Sequence, residues 1–439
     1  MRITAPDRTY DTLIIGGGLG GLLAAASACR IGQSVLLIER LPYLGGRFTT
    51  VTQDGAEVTT GALHLVPHGS GGVLARLLTD LGIGFRGVRS DVFVSFFWEG
   101  QTFVGQSFFQ VARRFSWRAR LDFVRIALRL LTCSFDRDGA SFQELLNDST
   151  NDLPLTRLFE RFIEFSMSVT VSELQSRDVR DIFASIIRYG LPEAPLGGCK
   201  AVVEDLATFI TRHNGSIRTL TEAVELIYDE RTRRVVGARV RGRDSGVEEA
   251  IYAHQVVSDA GPRATSKLLR GADAGFQVMR DPPAEARGLK LHLISDKSLI
   301  PHNGVMFCLD TRRLSGIVQV SNAVPGVVSG GQFMLDTFQV LRSDDIAEER
   351  RIAIDDLRYV FGKDYDRHCR ILRSSAFRGN WPVNHVTQGR DTLSQTPIPG
   401  LVMVGDAYKP AGHMMVEGVA GSVKRVIPII ERPRTLHFN

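Results

Sequence analysis

Cysteine is sparse and unpaired in this 439-residue chain. Cys29, Cys133, Cys199, Cys308 and Cys369 are odd in number, scattered, and never in a CxxC pair. That excludes a disulfide framework and points to reduced thiols in a cytoplasmic setting. No Cys/His group at zinc spacing accompanies them, so no metal is expected. Internal repeats and low-complexity tracts are lacking too. The opening MRITAPDRTYD has no apolar core of the kind a signal peptide needs. Beyond one glycine-rich stretch near the start, no apolar run is long enough to span a bilayer. Charge is not strongly one-sided, at +5 net. What is present is ordinary for a soluble globular protein, with 44% hydrophobic and 23% charged residues. The length predicts two intertwined domains rather than one simple core.

The exception is "LIIGGGLGGLLAAASACRIGQSVLLIERLPYLGGR", residues 13 to 47. From Thr12 to Cys29 it carries no charge, which raises the alternative of a membrane anchor. Its glycines reject that alternative, because a spanning helix favours bulky aliphatics where Gly16, Gly17, Gly18, Gly20 and Gly21 stand. The stretch divides into a strand over Thr12–Ile15, a turn at Gly16-x-Gly18-x-x-Gly21, and an alanine-rich helix from Leu22 to Gly32. A second strand, Ser34–Ile38, ends on Glu39. This is a βαβ dinucleotide fingerprint in its required context. Gly16 permits the turn, Gly18 lets the backbone approach a diphosphate, and Gly21 lets the helix pack on the strand. Amides at the helix start, Leu19 and Gly20 among them, are placed to bind phosphate. Glu39, 18 residues after Gly21, is placed to accept from an adenosine ribose.

Residues 75 to 195 read as mostly helical, with Ser141 and Glu144 forming a capped helix start in "SFQELLND". A Pro/Gly loop and an amphipathic helix over about 200–213 follow. Three alternating stretches, "AVELIYDE", "RVVGARVRG" and "AIYAHQVVSDAG", predict antiparallel strands. A β region spans about 288–339, and a charged helix about 343–361. The end, "PGLVMVGDAYKPAGHMMVEGVAGSVKRVIPII", returns to strand, glycine turn and helix.

One segment accounts for the net charge. "RRFSWRARLDFVRIALRL", residues 113 to 130, holds six arginines and one aspartate, interleaved with Phe115, Trp117, Leu121, Phe123, Val124, Ile126 and Leu128. Either it is a solvated helix with an apolar inner face, or it docks on anionic lipid. Nucleic acid is disfavoured, since no binding motif accompanies the charge.

Four motifs in order give the chain a family likeness. They are the first glycine turn with Glu39; Gly45-Gly46-Arg47 directly after it; the block from Gly197 to Pro262; and "LVMVGDAYKPAGHMMVEGVAGS". The chain resembles the flavin-containing amine oxidoreductases, and among them the phytoene desaturase branch with its carotenoid isomerases and retinol saturases. The resemblance implies an α/β fold: a Rossmann-like FAD-binding domain (1–85, 195–285 and 385–439) interleaved with an α+β substrate domain (86–194 and 286–384). It implies one non-covalent FAD, held by the first motif with Glu39 and Arg40, by Gly45, Gly46 and Arg47, and by the backbone at Val224. Gly405, Asp406 and the helix start at Val416 would meet its flavin half. The competing readings are a surface Arg47, a plain strand valine at 224 and a helix-capping Asp406.

In such an enzyme the flavin carries the chemistry, and the protein supplies orientation and dryness. Candidates for the substrate side are His64, Tyr408, Lys409, His413 and Met415; His64 as a core histidine and Lys409 as a phosphate counter-charge are the alternatives. The favoured substrate is a lipophilic polyprenoid, desaturated, saturated or isomerised, with peripheral membrane contact through residues 113–130. The alternative is an amine or amino-acid oxidase, which needs an aromatic cage. Met415 stands where that family commonly has an aromatic residue; Lys290 in "RGLKLHL" is a weak match to its flavin-side lysine. A non-catalytic FAD-binding protein is the third class, disfavoured because the flavin motifs are intact.

Overall fold

The computed structural model describes residues 9–62, 64–132, 141–269 and 284–431. Cys133, and residues 1–8, 63, 133–140, 270–283 and 432–439 of the expected domains, lie outside them. The glycine-rich stretch forms β1 (Thr9–Ile15), α1 (Leu19–Arg30) and β2 (Val35–Ile38). β1 runs parallel to β2 on one side and to the strand Glu248–Ser258 on the other. With strands Gly215–Arg218 and Leu401–Met403 also parallel, these are five of the seven strands of one sheet. Buried on every side from Leu19 to Cys29, α1 packs against the helices Gly198–Arg212 and Met415–Ile430. That all-round burial explains an anchor-like composition in a helix that meets protein instead of lipid. The helix starts three residues earlier than its alanines suggested, because its first turn is built from the glycines themselves.

Strands Thr221–Asp229, Arg234–Gly242 and Glu248–Ser258 are antiparallel as the alternation predicted. The last of them then continues past its hairpin to pair in parallel with β1 and with Leu401–Met403. The capped start at Ser141 is present, with Ser141 and Glu144 exchanging both bonds of a capping box.

A second seven-stranded sheet carries Gly288–Ser295, Met306–Cys308, Gly316–Gln319, Phe333–Val340 and Cys369–Phe377. Its remaining two strands, Val94–Trp98 and Gln101–Gly105, lie within the region read as mostly helical. They form a hairpin whose two-residue loop, Glu99-Gly100, has φ of 48° and 73° at its two positions. A glycine and a tolerant neighbour at positive φ are what a tight hairpin turn requires.

A helical layer covers this sheet, over Trp117–Thr132, Phe142–Ser149, Leu153–Met167 and Ser176–Tyr189. Phenylalanine rings link layer to sheet in one unbroken series: Phe108, Phe123, Phe159, Phe183, Phe162, Phe307, Phe165 and Phe338. Neighbouring centroids stand between 5.4 and 6.5 Å apart, within the range of favourable edge and offset packing. No helix among the described residues is long and apolar enough to cross a membrane.

Candidate functional site

The glycine motifs, far apart in sequence, meet at the C-terminal ends of the parallel strands of the first sheet. Gly16 leaves β1 at φ 103°, a conformation that disfavours other residues, and its amide bonds to the Ile38 carbonyl at 2.9 Å. A side-chain carbon at Gly21 would lie 2.0 Å from the Gly16 carbonyl oxygen, so α1 can close on the turn only with glycine there. The second motif lies directly on the first: the Gly45 amide bonds to the Gly17 carbonyl at 2.7 Å. A carbon at Gly46 would stand 3.4 Å from the Cα of Gly18. The C-terminal motif completes the cradle, with the Cα of Gly405 3.3 Å from where a Gly20 side chain would begin.

One carboxyl, missed in the sequence, organises three of these glycines. A side-chain carbon at Gly18, Gly20 or Gly405 would meet the Asp259 oxygens at 2.3, 2.5 or 2.6 Å. Asp259 follows the parallel strand of "VVSDAGP", and its amide bonds to the Ile15 carbonyl at 2.8 Å. Burial pushes its carboxyl up to about 8, against a hydrogen bond from the Gly21 amide, and nearby Asp406 adds to the rise. Around neutral pH it is therefore mostly protonated and adds little negative charge to the cradle.

Glu39 is buried at the end of β2, accepting from the Gly17 amide at 2.6 Å and the Leu41 amide at 2.8 Å. Its carboxylate thus ties the acidic position to the glycine turn. Arg40 is exposed, and its carbonyl accepts from Arg243. Val224 sits at a bulge between Ala223 and Glu225, without a register partner on the adjacent strand. A bulge leaves backbone groups out of the ladder, where they can serve another partner.

Arg47 turns inward rather than to solvent. Its guanidinium meets Asp406 at 2.8 Å and donates to the carbonyls of Pro382 and Val383 at 2.8 and 2.9 Å. His385, another residue sequence reasoning missed, completes the group. Its amide donates to Asp406 Oδ2 at 3.0 Å, and its Nδ1 lies 2.7 Å from Oδ1. The same Nδ1 lies 3.1 Å from Arg47 Nη2, so it donates to Asp406 in one tautomer and accepts from Arg47 in the other. Burial alone would raise Asp406, but Arg47, His385 and Lys409 hold it well below the usual carboxylate range. Lys409, fully buried, donates to the Asp406 carbonyl and pairs with Asp391 at 2.7 Å.

The remaining candidates separate. Tyr408 is buried in the apolar core behind the first sheet, with Tyr10, Leu13 and Met403. His413 lies beside Tyr189, with Nδ1 3.1 Å from the Ala411 carbonyl. Met415 opens its helix at φ 49°, a costly conformation for a residue with a side chain, and packs with Met414 on the helical layer. Val416, next in the helix, packs instead on the core around α1. Glu417 is fully buried and accepts from the Val73 and Leu74 amides at 2.6 and 3.0 Å, capping the helix Val73–Asp80.

His64 belongs to a different group. Lys290, in the strand Gly288–Ser295, is fully buried and meets Asp336 of the paired strand at 2.6 Å. It also donates to Thr59 at 2.5 Å and to the Gly61 carbonyl at 3.4 Å. His292 Nδ1 lies 2.6 Å from the other Asp336 oxygen. His64 sits within the field of all three, and burial lowers it to about 4, so its ring is neutral near pH 7. The Nε2 atoms of His64 and His292 are buried with no protein partner. Only His64 and Lys290 of this group were singled out in the sequence; Asp336 and His292 show only once the strands are paired. The group adjoins the cradle, because Thr60 donates to the Gly46 carbonyl at 2.8 Å and Gly61 touches the Arg47 backbone. His64 and His68 do stand in HxxxH spacing, which corrects the reading that no histidines are ligand-spaced; no group of three metal-binding side chains occurs among the described residues.

Residues 14–81 match the model of an NAD(P)-binding Rossmann-like domain. An uncharacterized protein of Methanocaldococcus jannaschii is 29% identical over 95% of this chain and 98% of its own. Among solved structures, an oxidoreductase from Methanosarcina mazei superimposes with a TM-score of 0.86 at 28% identity, over 95% of this chain and 99% of that one. Putrescine oxidase bound to putrescine gives a TM-score of 0.74 at 17% identity, over 97% and 100% of the two chains. The all-trans-retinol 13,14-reductase of Macaca fascicularis is 36% identical over 70 residues, 16% of this chain and 11% of its own. The chain thus has a mixed α/β fold with a Rossmann-like unit, and it shares its overall architecture with putrescine oxidase.

Proposed function

We propose that this chain is an FAD-dependent oxidoreductase that exchanges a hydride with a C–H or C=C bond of a lipophilic, polyprenoid-class substrate. The observation that carries the cofactor assignment is the meeting of three glycine motifs, with Gly18, Gly20 and Gly405 around the Asp259 carboxyl, Gly46 against Gly18, Gly45 bonded to Gly17, and Arg47 at the border. A mononucleotide or nicotinamide site needs no second and third glycine motif beyond its fingerprint. The amides of Leu19 and Gly20 would hold the diphosphate, Glu39 the adenosine ribose, and the Asp406 group the flavin side. When bound, the flavin supplies the hydride acceptor or donor.

The chain's own residues handle dryness and protons. The phenylalanine series and the Met414–Met415 pair pack in the apolar core of the helical layer, which would back an apolar substrate. Neutral His64 and the Lys290–Asp336–His292 group form a buried proton-holding cluster one loop away from Arg47. The same cluster favours a second reading. A fully buried lysine on the substrate sheet, in a fold shared with putrescine oxidase, suits an amine oxidase; Met415 in place of an aromatic speaks against it.

The two readings part in an anaerobic experiment. Oxidised and dithionite-reduced holoprotein are mixed with a membrane lipid extract, and separately with putrescine and cyclohexylamine. Lipid-dependent bleaching or recovery of the flavin absorbance, with a lipid product differing by two hydrogens, supports the proposal. Bleaching by the amines alone replaces it with the amine oxidase.

A further inference from the structure

The helix Trp117–Thr132 has two apolar faces. Ala119, Ile126 and Leu130 point inward and join the helical-layer core with Phe142, Phe159 and Met414. Trp117, Leu121, Val124, Leu128 and Leu131 lie on the outer side, 65, 57, 52, 54 and 68% exposed. At 3.6 residues per turn these five fall within a stripe about 80° wide, opposite the buried face. Phe109, on the preceding short helix, is 78% exposed as well. A solvated helix needs one apolar face, so the inner-face account leaves the outer one unexplained.

Arginines border that stripe. Arg118, Arg125 and Arg129 follow one flank, with Arg120 on the other and Arg113 and Arg114 at the N-terminal end, all exposed. Arg118 lies 5.4 Å from the Trp117 ring centre, and Arg125 pairs with Asp122, the lone acid of the segment, at 3.1 Å.

We propose that this face docks on an anionic phospholipid surface, the stripe entering the acyl boundary and the arginines reaching the phosphates. Charge complementarity selects this occupant. A second copy placed face to face would set six arginines against six with one aspartate each, whereas anionic headgroups neutralise them. The docked helix shares its core cluster with Met414 and Met415, so the membrane would lie against the layer that backs the flavin-side motif. The inference deepens the lipophilic-substrate reading and rests on it for its purpose; its test, however, uses no turnover.

Holoprotein is sedimented with vesicles of phosphatidylcholine alone, and of phosphatidylcholine with phosphatidylglycerol, at low and high salt. The expected result is cosedimentation with the anionic vesicles that weakens as salt shortens the screening length. Arg113→Gln/Arg114→Gln/Arg118→Gln should bind about a hundredfold more weakly, at about fivefold per lost charge. Leu121→Gln/Leu128→Gln should also lose binding, while flavin content and melting temperature stay at the parent values. Absence of parent binding at low salt overturns the proposal, as does binding unaffected by both variants. A parent dimer that Leu121→Gln/Leu128→Gln converts to monomer, without vesicle binding, assigns the face to a second copy instead. Vesicle binding without lipid turnover would refute only the substrate assignment.

Discussion

Asp406→Ala is expected to lower stability by about 3–5 kcal/mol, the usual cost of stranding one partner of a buried ion pair. The carboxylate is almost fully covered, and it accepts from both Arg47 and the His385 backbone while contacting the His385 ring. Removing it leaves the Arg47 guanidinium without a counter-charge, its neighbouring acceptors being the Pro382 and Val383 carbonyls and His385 Nδ1. Flavin retention should fall by roughly tenfold to a hundredfold, the value of one charge-assisted hydrogen bond. Asp406→Asn should fall between parent and Ala, because an amide oxygen still accepts from the His385 backbone. Melting of the apoprotein and dialysis of the holoprotein separate the two effects. Parent-like values in both would remove Asp406 from the site.

Asp336→Asn is expected to cost a similar 3–5 kcal/mol, because Lys290 is fully buried and would lose its counter-charge. Its pH signature is distinctive. Although burial opposes ionisation, His292 and Lys290 hold Asp336 far below its ordinary value, so its stabilisation is present above about pH 4 and lost below it. His64 acts in the same direction. Its folded value is lowered to about 4 from 6.5, so the unfolded chain binds the proton first, and stability drains away as pH falls from 6.5 towards 4. At about 1.4 kcal/mol per unit, that window holds roughly 3 kcal/mol. His64→Leu should flatten the fall between pH 6.5 and 4 in a series of melting curves. An unchanged slope would show that His64 titrates freely and lies outside the buried group.

The sequence made legible what is local. The glycine turn, the alternation of the three strands and the Ser141–Glu144 box are each set within a few residues, where backbone sterics and short-range bonds decide. Gly45-Gly46-Arg47 and Gly405-Asp406 were also legible, but only through resemblance. The partners of those motifs were not. Asp259 explains the glycines at 18, 20 and 405 from a strand more than two hundred residues beyond the first of them. His385 and Asp336 acquire a role only when the chain brings Asp406 and Lys290 beside them. The hairpin Val94–Gly105 was hidden because its aromatic run reads equally as buried helix or strand; the Glu99-Gly100 turn was the overlooked signal. For the helix Trp117–Thr132, composition gave the charge but not the direction in which its apolar residues face.

The central claim, that three glycine motifs build one FAD cradle, is tested most directly by denaturing the purified protein and identifying what it releases. The account predicts a yellow protein that frees one FAD per chain without proteolysis. Release of FMN, or of a nicotinamide dinucleotide with no flavin, would contradict it.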